Sequence, residues 1–228
     1  MGSIIEFTSA TGTTVEGYLA EGPAGAPGIV VIQEWWGLVP QIEATCDRYA
    51  EAGFTALAPD LYGGTKVPLD EPDEAGKAMM SLKVAQAAAD LSGAVDALVS
   101  RTGRPKVGAI GYCMGGGLTL KVGADRPDAV GAVVDCYGLY AWDEGAPDFA
   151  ALGPVQVHCA ARDEWVTPEK AAALVSEITS ARESAEVELF VYEGADHAFA
   201  NEERPEVYDA AAAALLFERS TAFFSTHL

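Results

Sequence analysis

Four cysteines, three histidines and 34 carboxylate side chains are the groups in this sequence that could carry covalent or acid–base chemistry. One cysteine is set apart by its neighbours. Cys113 is the centre of Gly111-Tyr112-Cys113-Met114-Gly115, with Gly116 and Gly117 following, between the apolar run Lys106–Ile110 and a helical pattern. A sharp strand-to-helix turn strains its central residue, and glycine two positions to either side removes Cβ atoms that would collide. The pattern is the nucleophile elbow G-x-S-x-G with cysteine in place of serine. A thiol there stands exposed at a helix start, whose partial positive charge favours the thiolate. A phosphate-cradling turn would need Gly-Lys-Ser/Thr or an early Gly-x-Gly, and neither is present. An inert thiol describes Cys46, Cys136 and Cys159, which fall inside helix or strand patterns, but it would not call for the glycines that surround Cys113.

Such a nucleophile needs a base, and the choice is short. His158 lies within the strand pattern Val155–Cys159, and His227 is one residue from the C-terminus. His197 ends the turn Glu193-Gly194-Ala195-Asp196-His197 just past a strand, where its ring can reach over the crevice that holds Cys113. An acid that holds the imidazole tautomer is expected between nucleophile and histidine in chain order, and Asp163 follows the strand Val155–Cys159. Glu164 is its rival. Asp196 is too near in sequence to point at its neighbour's ring, and Asp60 and Asp135 end strands before or directly after the elbow strand.

The elements that must position these groups alternate. Strand-sized runs occur at Thr14–Leu19, Gly28–Ile32, Thr55–Ala58, Lys106–Ile110, Ala129–Asp135, Val155–Cys159 and Val187–Val191. Helical spacing covers Ile42–Ala52, Glu74–Ser100, Met114–Ala124, Pro168–Ser180 and Glu206–Phe224. Thr167 before Pro168 reads as a helix cap, and Glu206 after Pro205 as the start of the last helix. The alternation predicts an α/β fold with a mostly parallel sheet covered by helices on both faces. The stretch Glu21–Gly28 reads as a hairpin-like connection. Tyr62–Asp73 and Leu139–Gly153 are the longest irregular pieces.

At 228 residues, half of them hydrophobic, the chain can bury a full core as one domain spanning 1–228. A net charge of −20 repels a phosphate backbone, so nucleic acid is not an expected partner. The N-terminus lacks a basic region followed by a long apolar stretch, Glu6 stands where a myristoylation signal wants Ser or Thr, and no apolar run approaches the roughly 18 residues of a membrane span. A cytoplasmic protein with no membrane partner is expected. Four scattered cysteines without a Cys-x-x-Cys pair predict reduced thiols and no zinc site. No metal and no cofactor is expected.

In Val31-Ile-Gln-Glu-Trp-Trp-Gly37, Ala58-Pro-Asp-Leu-Tyr62, Gly108–Gly116, Arg162-Asp163 and Ala195-Asp-His-Ala-Phe199 the sequence resembles the dienelactone hydrolase family over nearly its whole length. The resemblance implies an α/β-hydrolase fold without a large cap, acting on small lactones or esters, with Cys113, Asp163 and His197 as triad. It further implies that Glu34 pairs with the resting cysteine and is displaced when substrate binds. Backbone N–H groups of Trp35 and Met114 match the family's oxyanion hole. Two departures bear on substrate. Where family members acting on dienelactone carry a cation just after the His-x-Phe segment, this chain has Asn201, with Arg204 three residues on. Lys77 is the nearest match to a second cation, and Ser81 replaces a neighbouring tyrosine. Trp35, Trp36 and Tyr137 are candidates to line the pocket. Alternatives on the same residues are a thioesterase or general acyl hydrolase, and a non-catalytic thiol module that binds or senses oxidants. A monomer or weak homo-oligomer is expected.

Overall fold

A computed structural model describes residues 1–139 and 145–228. Eight strands form one sheet: β1 (Ser3–Thr8), β2 (Thr14–Ala20), β3 (Gly28–Ile32), β4 (Thr55–Pro59), β5 (Val107–Tyr112), β6 (Val130–Cys136), β7 (Val155–Ala160) and β8 (Val187–Tyr192). Their spatial order is β1-β2-β4-β3-β5-β6-β7-β8. Only the β1–β2 and β2–β4 pairings are antiparallel; the other five are parallel.

Helices α1 (Pro40–Glu51), α2 (Pro72–Ser81), α3 (Val84–Thr102), α4 (Met114–Asp125), α5 (Pro168–Ala181) and α6 (Ala210–His227) cover the sheet. Strand alternation divides the core between its faces. Ile29 and Val31 pack with Ile42 and Tyr49 of α1 and Phe224 of α6. Val30 and Ile32 pack with Leu91 of α3, Leu118 of α4 and Leu174 of α5. Burying each such side chain stabilises the fold by about 1.5–3 kcal/mol, so strands apolar on both sides hold the sheet centre between two helix layers.

The structure departs from the sequence reading in four places. β1 was not expected; it is an edge strand on which only Phe7 is buried. Glu21–Gly28 closes no hairpin, because β4 lies between β2 and β3. That connection instead packs on the start of β4, with Gly22 N–H donating to Thr55 Oγ1 at 3.2 Å. The segment expected as one helix, Glu74–Ser100, is two, broken where Leu82 turns extended at ψ 122°. The last helix is capped by Asp209 rather than begun at Glu206: Asp209 Oδ1 accepts from the N–H groups of Ala211 and Ala212, both at 3.0 Å. Thr167 caps α5 as expected, accepting from Lys170 N–H at 3.4 Å.

After β3 the chain runs to one neighbour, β4, and later to the other, β5. This is the switch point at which an open α/β sheet has its crevice. Glu34 follows β3, Cys113 follows β5, Tyr137 follows β6, Asp163 follows β7 and His197 follows β8. All lie past carboxyl ends of strands, on one edge of the sheet.

Candidate active site

Cys113 sits between β5 and α4 with φ 55° and ψ −118°. L-residues seldom adopt positive φ, and the conformation persists only where surroundings over-determine it. Here Cys113 N–H donates to Cys136 O and Gly116 N–H donates to Cys113 O, both at 3.0 Å. A Cβ on Gly115 would lie 2.5 Å from Ile32 O and 2.6 Å from Gln33 O, and one on Gly111 would overlap Gly115 O. The glycines therefore let the elbow close against the end of β3. Among the described residues the only non-glycine positions with positive φ are Cys113, Tyr137 and Ala198, the last directly after His197.

Asp135 supports this turn from below, a role the sequence reading did not assign. Its buried Oδ1 accepts from Gly138 N–H at 2.9 Å and lies where a Cβ of Gly116 would be. Burial drives its carboxyl well above the ordinary carboxylate range, which favours the neutral acid.

His197 Nδ1 and Asp163 Oδ2 are 2.6 Å apart. Asp163 Oδ1 accepts from the N–H groups of Trp165 and Val166, each at 2.8 Å, so both carboxylate oxygens are occupied. Nε2 of His197 is buried without a hydrogen-bond partner among the described residues, and the Cys113 thiol is close enough to act on the ring's basicity. Burial lowers the pKa of His197, but its hydrogen bond to Asp163 and the charge of the neighbouring Cys113 and Asp163 outweigh this and carry it up to about 10. Burial likewise pushes Asp163 up, and the stronger combined pull of His197 and the two backbone N–H groups leaves it below its usual value. The imidazole stands between Trp165 and Tyr137, with ring centroids 5.2 and 5.3 Å away.

Glu34 is almost wholly buried. Its Oε2 accepts from Asn201 Nδ2 at 2.8 Å, and its Oε1 accepts from Tyr137 Oη–H at 3.4 Å. Burial raises its carboxyl pKa, opposed by Asn201, His197, Arg204 and Tyr137. These hydrogen bonds run to Asn201 and Tyr137 rather than to Cys113, which differs from the pairing with a resting cysteine implied by the resemblance. Two neutral donors already occupy the carboxyl oxygens.

A cleft of about 580 Å³ opens beside Cys113 and His197. Of the expected substrate contacts, Trp36 and Arg204 line it, as does Trp35. Asn201 and Tyr137 do not; both are buried and engaged with Glu34. Lys77 and Ser81 line a different depression, with Lys77 Nζ held 2.6 Å from Glu74 Oε1 and Ser81 Oγ–H donating to Lys77 O.

The sequence reading also missed cleft residues. Trp165, half-exposed and two positions past Asp163, meets Trp35 edge-on with centroids 5.1 Å apart. Arg162, Asp196 and Glu206 complete the rim with Glu164, which was weighed only as a rival acid. Arg162 Nη2 is 3.1 Å from Asp196 Oδ2, and Arg204 Nε is 2.8 Å from Glu206 Oε1. Among the described residues no group of three or more His, Cys, Asp or Glu side chains is placed to hold a metal ion. No described helix is long and apolar enough to cross a membrane.

The family model of the dienelactone hydrolase family matches residues 15–228. Protein usf of Aquifex pyrophilus is 35% identical over 100% of both chains. Carboxymethylenebutenolidase of Pseudomonas putida is 31% identical over 92% of this chain and 90% of its own. Among solved structures, a Klebsiella pneumoniae protein provisionally named a dienelactone hydrolase superposes with a TM-score of 0.80 at 27% identity, covering 99% of this chain and 100% of that one.

Proposed function

The chain belongs to the dienelactone hydrolase family, and on that premise we propose that it hydrolyses small lactones or carboxylic esters through Cys113, His197 and Asp163. The observation that carries the reading is the Asp163–His197 contact at 2.6 Å beside a strained cysteine, in a cleft large enough for a small ester. His197 Nε2 takes the thiol proton before attack, and the thiolate Sγ then adds to the carbonyl carbon. The charge that develops on the carbonyl oxygen is met by the N–H groups of Met114 and Trp35. Met114 opens α4, and the first amides of a helix have no intrahelical acceptor. When the tetrahedral adduct collapses, the imidazolium returns its proton to the departing alkoxide and leaves an acyl thioester on Cys113. A water deprotonated by His197 then attacks the thioester, releasing the acid and restoring the thiol.

Asp163 keeps a proton on Nδ1, so that Nε2 is the nitrogen that accepts the thiol proton, and stabilises the resulting imidazolium. Glu34 acts through position: held by Asn201 and Tyr137, it floors the cleft beside the loop that carries Trp35. The test is a panel of a small lactone, an aryl ester and a thioester against wild type, Cys113→Ala and His197→Gln. Loss of several orders of magnitude in kcat for lactone and aryl ester in both variants supports the reading. Turnover confined to the thioester would move it to a thioesterase, and undiminished turnover in Cys113→Ala would end it.

A further inference from the structure

The charge and aromatic content of the cleft rim bear on which esters enter, a question that rests on the hydrolase reading above. Its outer wall carries three carboxylates, Glu164, Asp196 and Glu206, against two guanidinium groups, Arg162 and Arg204. Both guanidinium groups are already engaged, Arg162 by Asp196 and Arg204 by Glu206. Glu164 is exposed and has no ion-pair partner among the described residues. Deeper in, the ionised Asp163 and the imidazolium of His197 offset one another. Lys77, the other cation expected near substrate, lies on a separate depression and is bound to Glu74. An anionic substrate would therefore meet only guanidinium groups whose charge a neighbouring carboxylate already offsets, under the field of a chain of net charge −20.

The walls suit the opposite sign. Trp35 meets Trp36 and Trp165 edge-on, at centroid separations of 5.2 and 5.1 Å, and Trp165 is 53% exposed. An indole is the best of the aromatic partners for an ammonium group, and an adjacent free carboxylate adds Coulomb attraction. Trp165 sits next to the unpaired Glu164 in sequence and on the same rim.

We propose that this cleft selects esters bearing a cationic ammonium group a few bonds from the carbonyl, with Trp165 and Glu164 as specificity determinants, and disfavours esters bearing a carboxylate there. The experiment uses three 4-nitrophenyl esters of one chain length, ending in trimethylammonium, in its neutral tert-butyl isostere, or in carboxylate. In wild type, kcat/KM should fall in the order cation, neutral, anion, with the cation ahead of the neutral ester by about fivefold at low salt, and the gaps should narrow as salt is raised. Glu164→Gln and Trp165→Ala should each draw the cation-to-neutral ratio toward one. Titration of the same esters into Cys113→Ala, read by tryptophan fluorescence, gives the binding order without chemistry and should match.

A neutral ester used at least as well as the cation, or an anion ahead of either, overturns this inference and leaves the hydrolase reading standing. If none of the three is hydrolysed, the hydrolase reading falls, and the fluorescence order still decides the charge preference.

Discussion

Replacing Asp163 by asparagine exchanges one carboxylate oxygen for an amide group, and the surroundings decide which one. Oδ1 now accepts two backbone N–H groups at 2.8 Å, whereas Oδ2 faces the single Nδ1 of His197 at 2.6 Å. Turning the amide nitrogen toward Trp165 and Val166 would oppose donors to donors and lose two hydrogen bonds, so the asparagine oxygen should stay there. Its NH2 then points at Nδ1 and makes that nitrogen an acceptor. The proton moves to Nε2, which can no longer take one from Cys113. The expected cost in kcat is about 10³–10⁴-fold, or about 4–5.5 kcal/mol of transition-state stabilisation. Stability should fall by about 1.5–3 kcal/mol, the loss of one hydrogen bond to a charged group, while the two backbone bonds survive. The assay is kcat for an aryl ester together with the alkylation rate of Cys113, which should fall in parallel. Retention of a tenth or more of wild-type kcat, or a loss confined to KM, would refute the tautomer argument.

Four further outcomes follow from the same geometry. The pKa of His197 is raised from 6.5 to about 10, so its stabilisation is fully present below pH 6.5 and is lost as pH rises toward 10; chemical denaturation should show wild type losing stability across that window and Asp163→Asn losing less. Asn201→Ala removes a donor that lowers the Glu34 pKa, so the folded state should bind its proton more tightly; the stability deficit, about 1–3 kcal/mol, should therefore grow as pH rises, and a deficit constant with pH would contradict the role given to Asn201. Gly115→Ala places a Cβ 2.5 Å from Ile32 O, and a melting curve should show it destabilised by about 2–3 kcal/mol or unfolded. Gly76→Ala, whose Cβ would find only a Trp35 ring carbon at 4.0 Å inside helix α2, should raise stability by about 0.5–1 kcal/mol.

Much of this scaffold was legible in the sequence because its strands are apolar on both faces and bounded by Gly and Pro, as in Gly28–Ile32. β1 was not, since Ser3, Ile4, Glu6 and Thr8 are exposed on an edge strand, leaving Phe7 buried and Ile5 only partly packed on the core. Nor was the division of α2 from α3, where Leu82 and Lys83 leave the helix without a Gly or Pro to mark it. Cys113, Asp163 and His197 could be picked out as candidates because each follows a strand and the fold gathers strand ends. The cleft rim was less readable. Trp165 and Glu206 come to one wall only once the loops after β7 and β8 are folded together, and whether a helical lysine such as Lys77 faces the cleft depends on where its helix turns. The anchoring of Glu34 by Asn201 joins residues 167 positions apart, and nothing local in the chain signals it.

Acylation of Cys113 during turnover can be read by intact-mass and peptide-mapping analysis of enzyme quenched during reaction with a slowly deacylating activated ester. If Cys113 is the nucleophile, one acyl group per chain should appear on the peptide containing Cys113, forming as fast as the initial burst of alcohol and absent in Cys113→Ala. Continued turnover with no acyl group on that peptide, or an acyl group on another residue, would contradict it.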